Sequence, residues 1–184
     1  MESLNLLALS GSLRKISYNT AAITALKALA PDNTKITIGN IGDLPLFNPD
    51  RESEFIPALE ELTSSLRKSN GLIIASPEYA HGISGPLKNA LDWLVSREEF
   101  PNKLIMLINT SPRAIHAQEA LKEVLTTMSG NIIVQSYVSI PLLGSGLNSG
   151  EIVESENMSN ALRAGLNEFC IEIRAQQLNK RVNT

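Results

Sequence analysis

The chain has 184 residues, 43% hydrophobic and 19% charged, a composition that suits one globular domain with a sizeable core. Its formal charge of -3 and the lack of a basic run argue against a nucleic-acid partner. The single cysteine, Cys170, excludes an intramolecular disulfide and fits a reducing, cytoplasmic setting. Met1-Glu2-Ser3 lacks the positive start of a secretory signal, and no apolar run approaches the ~20 residues of a membrane helix. No membrane association is expected.

In chain order, Leu4 to Leu9 reads as a buried strand, and Tyr18 to Leu29 as a helix with Ala22, Ile23, Leu26 and Leu29 on its apolar face. Lys35 to Ile38 predicts a second, shorter strand, and Gly39 to Ser53, rich in Gly, Pro, Asn and Asp, a loop. Ile56, Leu59, Leu62 and Leu66 recur at helical spacing. Gly71 to Ala75 predicts a buried strand, followed by a loop and a helix over Pro86 to Val95. Leu104 to Ile108 is the next strand and Ala117 to Met128 the next helix. Ile132 to Ile140 supplies a fifth strand and Met158 to Leu178 the closing helix. Leu142 to Glu156, rich in Gly and Ser, reads as a mobile loop. Strands alternating with helices predict α/β architecture: a five-stranded parallel sheet covered on both faces, as a doubly wound three-layer sandwich over residues 1–184.

In such a sheet, ligands bind beyond the carboxyl ends of the strands, near the point where strand order reverses. The loop after the first strand, Ser10-Gly11-Ser12-Leu13-Arg14-Lys15-Ile16-Ser17-Tyr18-Asn19, combines hydroxyls, two cations and a helix start. Such a helix start favours an anion. The plain alternative is a helix cap by Ser17 with two solvated cations. With one glycine and no Gly-Lys-Ser/Thr ending, the loop suits a mononucleotide phosphate rather than a pyrophosphate. The loop after the third strand, Ser76-Pro77-Glu78-Tyr79-Ala80-His81-Gly82-Ile83-Ser84-Gly85, runs into a helix opened by Pro86. Its glycines and proline allow close approach to a flat ligand, or simply a tight turn.

These two segments, SGSLRKISYN and SPEYAHGISGPLKNALDWLVS, with Asp43-Leu44-Pro45-Leu46-Phe47-Asn48 between them, resemble the motifs of the NADPH-dependent FMN reductase family, which includes quinone, chromate and azo-dye reductases. The similarity covers roughly the first two thirds of the chain. It implies a flavodoxin-like fold, FMN as cofactor, and NADPH or NADH as electron donor to a small-molecule acceptor such as a quinone, azo compound or metal oxyanion. By that resemblance Ser10, Ser12, Leu13, Arg14, Ser17 and Asn19 hold the phosphate, and Pro77, Glu78, Tyr79 and Ala80 carry the ring. The loop after the fourth strand, Asn109-Thr110-Ser111-Pro112-Arg113, adds a third contact, with Ser111 and Arg113 as its candidate residues. His81 and Gly82 are candidates for touching the acceptor. No catalytic side chain and no metal ligand are expected, because the flavin carries the chemistry. The sequence departs from the family at Ala80, where Asn is common, and at Ser111-Pro112-Arg113-Ala114, where glycines are common.

An electron carrier like flavodoxin and a flavin-free relative that senses a ligand are the competing readings. His116 is expected at the surface, and Cys170 buried beside Leu166, Phe169 and Ile173. Leu87, Leu91, Trp93 and Leu94 offer more apolar surface than one sheet contact needs, and the family resemblance implies that such helices pair copies into a homodimer or homotetramer.

Overall fold

A computed structural model of the chain describes residues 3–182. Strand β1 (Leu4–Ser10) leads into helix α1 (Tyr18–Leu29), strand β2 (Thr34–Gly39) and helix α2 (Pro57–Lys68). Strand β3 (Gly71–Ala75) is followed by two short strands, β4 (Glu78–Tyr79) and β5 (Gly82–Ile83), and by helix α3 (Gly85–Leu94). Strand β6 (Leu104–Asn109) and helix α4 (Ile115–Thr127) come next, then β7 (Asn131–Ile132) and β8 (Val138–Ser139). Helices α5 (Ser149–Glu154) and α6 (Glu156–Val182) close the described chain.

The main sheet is parallel throughout, in the order β2-β1-β3-β6-β7, with β8 also pairing β6. Order reverses between β1 and β3, which sets the switch point there. Alternation along the strands builds two cores. Leu4, Leu6 and Ala8 of β1, Ile73 of β3 and Met106 of β6 face α1, α5 and α6 through Ile23, Ile152 and Phe169. Leu7, Leu9, Leu72, Ile74, Ile105 and Leu107 face α2, α3 and α4 through Leu59, Leu91 and Leu121. A strand buried on both faces has no polar side, which is why these runs read as continuously apolar. The expected flavodoxin-like three-layer sandwich is therefore present.

Three expectations need correction. The fifth strand, predicted over Ile132 to Ile140, is broken: β7 and β8 are separated by a 3-10 turn, Val134–Ser136, closed by Ser136 Oγ donating to Ile133 O at 2.8 Å. Within the predicted mobile loop 142–156, α5 is a formed helix. Asn148 Oδ1 accepts from Glu151 N, and Glu151 Oε2 accepts from Asn148 N, a reciprocal capping box. Finally, Leu87, Leu91, Trp93 and Leu94 are at most 1% exposed, all consumed by the chain's own core. Trp93 Nε1 donates to Pro45 O at 2.8 Å and its ring meets Phe47 edge-on, pinning the 43–48 segment over α3. The apolar side chains left exposed here are instead Leu46, in the pinned segment, and Val95, at the end of α3.

Among the described residues, no helix is long and apolar enough to cross a membrane.

Candidate functional site

The loop leaving β1 starts as a continuation of the sheet, since Gly11 N donates to Ala75 O at 2.8 Å. It is then shaped by its own hydroxyls. Ser10 Oγ is 2.8 Å from Thr20 Oγ1 and accepts from Ser12 N at 3.3 Å, while Ser12 Oγ accepts from Arg14 N. Ser17 Oγ accepts from Thr20 N at 3.3 Å and caps α1, whose first turn holds no acidic residue. The first turn of α1 thus supplies no counter-charge of its own to the positive end of the helix dipole. Asn19 is buried, its Oδ1 accepting a 3.0 Å bond from Thr110 Oγ1. That bond fixes the amide and ties the α1 start to the loop after β6.

The loop after β3 contains a hairpin that sequence reading missed. β4 and β5 pair antiparallel around Ala80 and His81, which have φ of 49° and 59°. Two consecutive left-handed residues mark a type I′ turn, a geometry that favours Asn-Gly over Ala-His. Glu78, entering the hairpin, accepts a 2.9 Å bond from Ala117 N through Oε2. Helix α4 has no side-chain cap of its own at Ala114, so Glu78 caps it from another part of the chain and places a carboxylate at its positive end. Glu78 Oε1 lies 3.6 Å from His81 Nδ1, and the His81 ring meets the His116 ring edge-on with centroids 4.5 Å apart. His116 is exposed, as expected. After β6, Asn109 Oδ1 accepts from Ser111 N and Ser111 Oγ from Arg113 N, two side-chain turns that shape the third loop.

These three loops surround one cavity of about 280 Å³ at the switch point. Of the residues expected there, Ser12, Arg14, Ser17, Asn19, Pro77, Glu78, Tyr79, Ser111 and Arg113 line it. Ser10 stands behind it as a buried loop brace, and Leu13, Ala80, His81 and Gly82 lie outside its wall. Thr110, within the expected third segment, also lines it, and Tyr18, Ala114 and Leu143 line it without having been singled out. Tyr18 and Ala114 sit next to expected residues, so adjacency was the available signal. Leu143 had none, because its place depends on Gly146 N donating to Tyr18 Oη at 3.0 Å, a contact across 128 residues. With Arg14 and Arg113 on the wall and Glu78 already engaged by Ala117 and facing His81, the cavity favours an anion beside a flat apolar group. Among the described residues, no group of three or more His, Cys, Asp or Glu is placed to hold a metal ion.

Fold and cavity together define a flavodoxin-like α/β protein with a pocket at the sheet's switch point whose wall carries Arg14 and Arg113. Residues 4–142 match the family described as NADPH-dependent FMN reductase, and the chain belongs to that family. It is 38% identical over 101 residues to the NAD(P)H-dependent FMN reductase PA1204 of Pseudomonas aeruginosa, covering 54% of this chain and 55% of that protein. It is 31% identical over 140 residues to a quinone reductase of Escherichia coli (strain K12), covering 72% and 74%. The chain thus spans about half the length of the Pseudomonas relative and about three quarters of the E. coli one. The flavoenzyme NAD(P)H:(acceptor) oxidoreductase FerB of Paracoccus denitrificans shares the fold, with a TM-score of 0.71 at 24% identity over 90% of this chain and 97% of that one.

Proposed function

We propose that the protein is an FMN-dependent oxidoreductase passing electrons from NADPH or NADH to a small acceptor such as a quinone, azo compound or metal oxyanion. One observation carries the reading: a single cavity joins the N-terminus of α1, with no acidic residue in its first turn, and Arg14 to the Pro77 and Tyr79 surface of the next loop. That donor set fits a phosphate monoester at one part of the cavity and a planar ring at another. Quinone and FMN reductases among the relatives support the acceptor class.

On this reading Ser12, Arg14, Ser17 and Asn19 bind the phosphate, with Ser10 bracing the loop and Leu13 at its outer edge. Pro77, Glu78, Tyr79 and Ala80 position the ring, while Ser111 and Arg113 close the third side. His81 and Gly82, in the hairpin just outside the cavity wall, are the candidates for touching the acceptor. When bound, FMN would supply the redox chemistry between NAD(P)H and the acceptor. The chain's own work is to orient and desolvate. Arg14 and Arg113 attract the anionic groups of cofactor and donor, and the loop backbone provides N–H groups where negative charge builds up. The same reading takes residues 1–184 as a single FMN-binding domain that works in the cytoplasm as a homodimer or homotetramer.

The test is the visible spectrum of the FMN-saturated protein before and after NADPH, recorded without oxygen. A perturbed flavin band that bleaches, and recovers on adding a quinone, is expected. A bound flavin that stays oxidised with both nicotinamides would point to a carrier. Absence of flavin binding would overturn the assignment of the site.

A further inference from the structure

Leu143 lines the cavity together with Tyr18 and Thr110, yet the segment that carries it is held by very little. Leu142, just before it, is fully buried, and its N–H donates to Thr110 O at 3.0 Å. Leu147 packs against the core on the far side, and Asn148 then caps α5. Between these anchors, residues 143–146 are all exposed. Gly144 and Gly146 take φ of 79° and 74°, and a methyl group on either would meet nothing within 4 Å. Packing therefore does not fix this strap.

Hydrogen bonds within the strap do not fix it either. Ser145 N donates to Leu142 O at 3.0 Å and Leu147 N to Ser145 Oγ at 3.2 Å, and neither bond reaches another element. Among the described residues, one hydrogen bond ties the strap to the rest of the molecule: Gly146 N donates to Tyr18 Oη at 3.0 Å. Tyr18 is a firm post for it, because it is the first residue of α1 and its ring packs against the core. An exposed segment with two glycines has many conformations open to it, and one bond of this kind favours a single arrangement by roughly threefold to tenfold.

We propose that Tyr18 is a positioning residue for the cofactor: its hydroxyl clasps the 143–146 strap, keeps Leu143 on the cavity wall and so slows the release of FMN. The inference rests on the flavin reading of this cavity.

The experiment follows FMN leaving the protein, as recovery of flavin fluorescence after rapid dilution. Tyr18→Phe keeps the ring and removes the hydroxyl, and is expected to release FMN about threefold to tenfold faster than the parent. Leu143→Ala leaves the clasp in place and is also expected to speed release. The double variant is expected to be no faster than the faster single one, because the hydroxyl acts through Leu143. In the cofactor-free protein, hydrogen exchange at the Gly146 amide is expected to be about threefold to tenfold faster in Tyr18→Phe, with the Leu142 amide unchanged. Equal release rates from parent and Tyr18→Phe, multiplying effects in the double variant, or faster exchange that spreads to Leu142 would each overturn the proposal. A parent that takes up no FMN overturns the flavin reading and this proposal with it, whereas FMN that binds and leaves every variant at one rate overturns this proposal alone.

Discussion

Ser84 Oγ donates a 2.5 Å hydrogen bond to the carbonyl of Gly11, 73 residues earlier in the chain. The bond joins the loop after β1 to the end of the loop after β3, and Ser84 is fully buried. The two loops have no slack between them. A methyl group on Gly11 would stand 2.9 Å from Ser76 Oγ, 3.1 Å from Ser84 Oγ and 3.2 Å from Pro77 Cδ. The segments assigned to phosphate and ring are therefore held as one body. Ser84→Ala removes the donor and is expected to cost about 1–2 kcal/mol in urea unfolding. It is also expected to weaken FMN by about threefold to tenfold, read by flavin fluorescence quenching. An unaltered FMN affinity alongside the stability loss would separate this clamp from cofactor holding.

Much of this arrangement was written locally in the sequence, and some was not. β1, α1 and β3 were legible because apolar periodicity is a local signal, and Leu4 to Leu9 or Ala22 to Leu29 carry it plainly. The broken fifth strand left a trace in Gln135-Ser136, polar residues inside an apolar run, but only the 3-10 turn explains why Ser136 is buried. Asn148 and Glu151 spell a capping box, masked by the surrounding Gly and Ser. The two motif loops were visible as motifs. Their mutual bond, the capping of α4 by Glu78 and the Tyr18–Gly146 contact depend on chain reversal over long distances, which no local pattern encodes.

The turn at Ala80 and His81 holds two non-glycine residues in the left-handed region. Replacing them together by Asn and Gly, as Ala80→Asn with His81→Gly, matches the residues to the turn. Thermal unfolding is expected to show a gain of about 1 kcal/mol or more. His81→Gly alone reports on function. If His81 faces the acceptor, the single variant lowers kcat/KM for quinone while FMN affinity is kept; parallel losses in both would assign His81 to the fold of the hairpin only.

Glu99 titrates as part of an ion pair with Arg67. Burial pushes its carboxyl up, but the hydrogen bond and charge of Arg67, with Arg97 nearby, outweigh this and hold it below the usual carboxylate range. A depressed folded value means that the pair's stabilisation is present above the unfolded carboxylate pKa of about 4.3 and is lost as pH falls through the lower folded value. Urea unfolding at a series of pH values should show Glu99→Gln less stable than the parent at pH 7. The two are expected to converge toward pH 3, and a constant gap would remove the pair from the acid sensitivity of the fold.

Cys170 shows the opposite sign. Burial raises its thiol, so as pH rises past the unfolded thiol value of about 8.5 the unfolded chain loses its proton first and stability falls. Cys170→Ala should lack that component, visible as a shrinking difference between variant and parent from pH 8 to 10. At pH 7.5 alkylation by iodoacetamide is expected to be at least about tenfold slower than for a free thiol. Alkylation at the free-thiol rate would show that its buried site opens readily.

The interruption between β7 and β8 bears on how copies of this chain meet in a crowded solution. A sheet whose last strand ran unbroken from 132 to 140 would offer a long row of unpaired N–H and C=O groups to any passing extended chain. Here the row is cut into two two-residue pieces with a tight turn between them. A foreign strand could keep register for only a residue or two before the turn pushed it away, so this border of the sheet is a poor template for strand addition and amyloid-like growth.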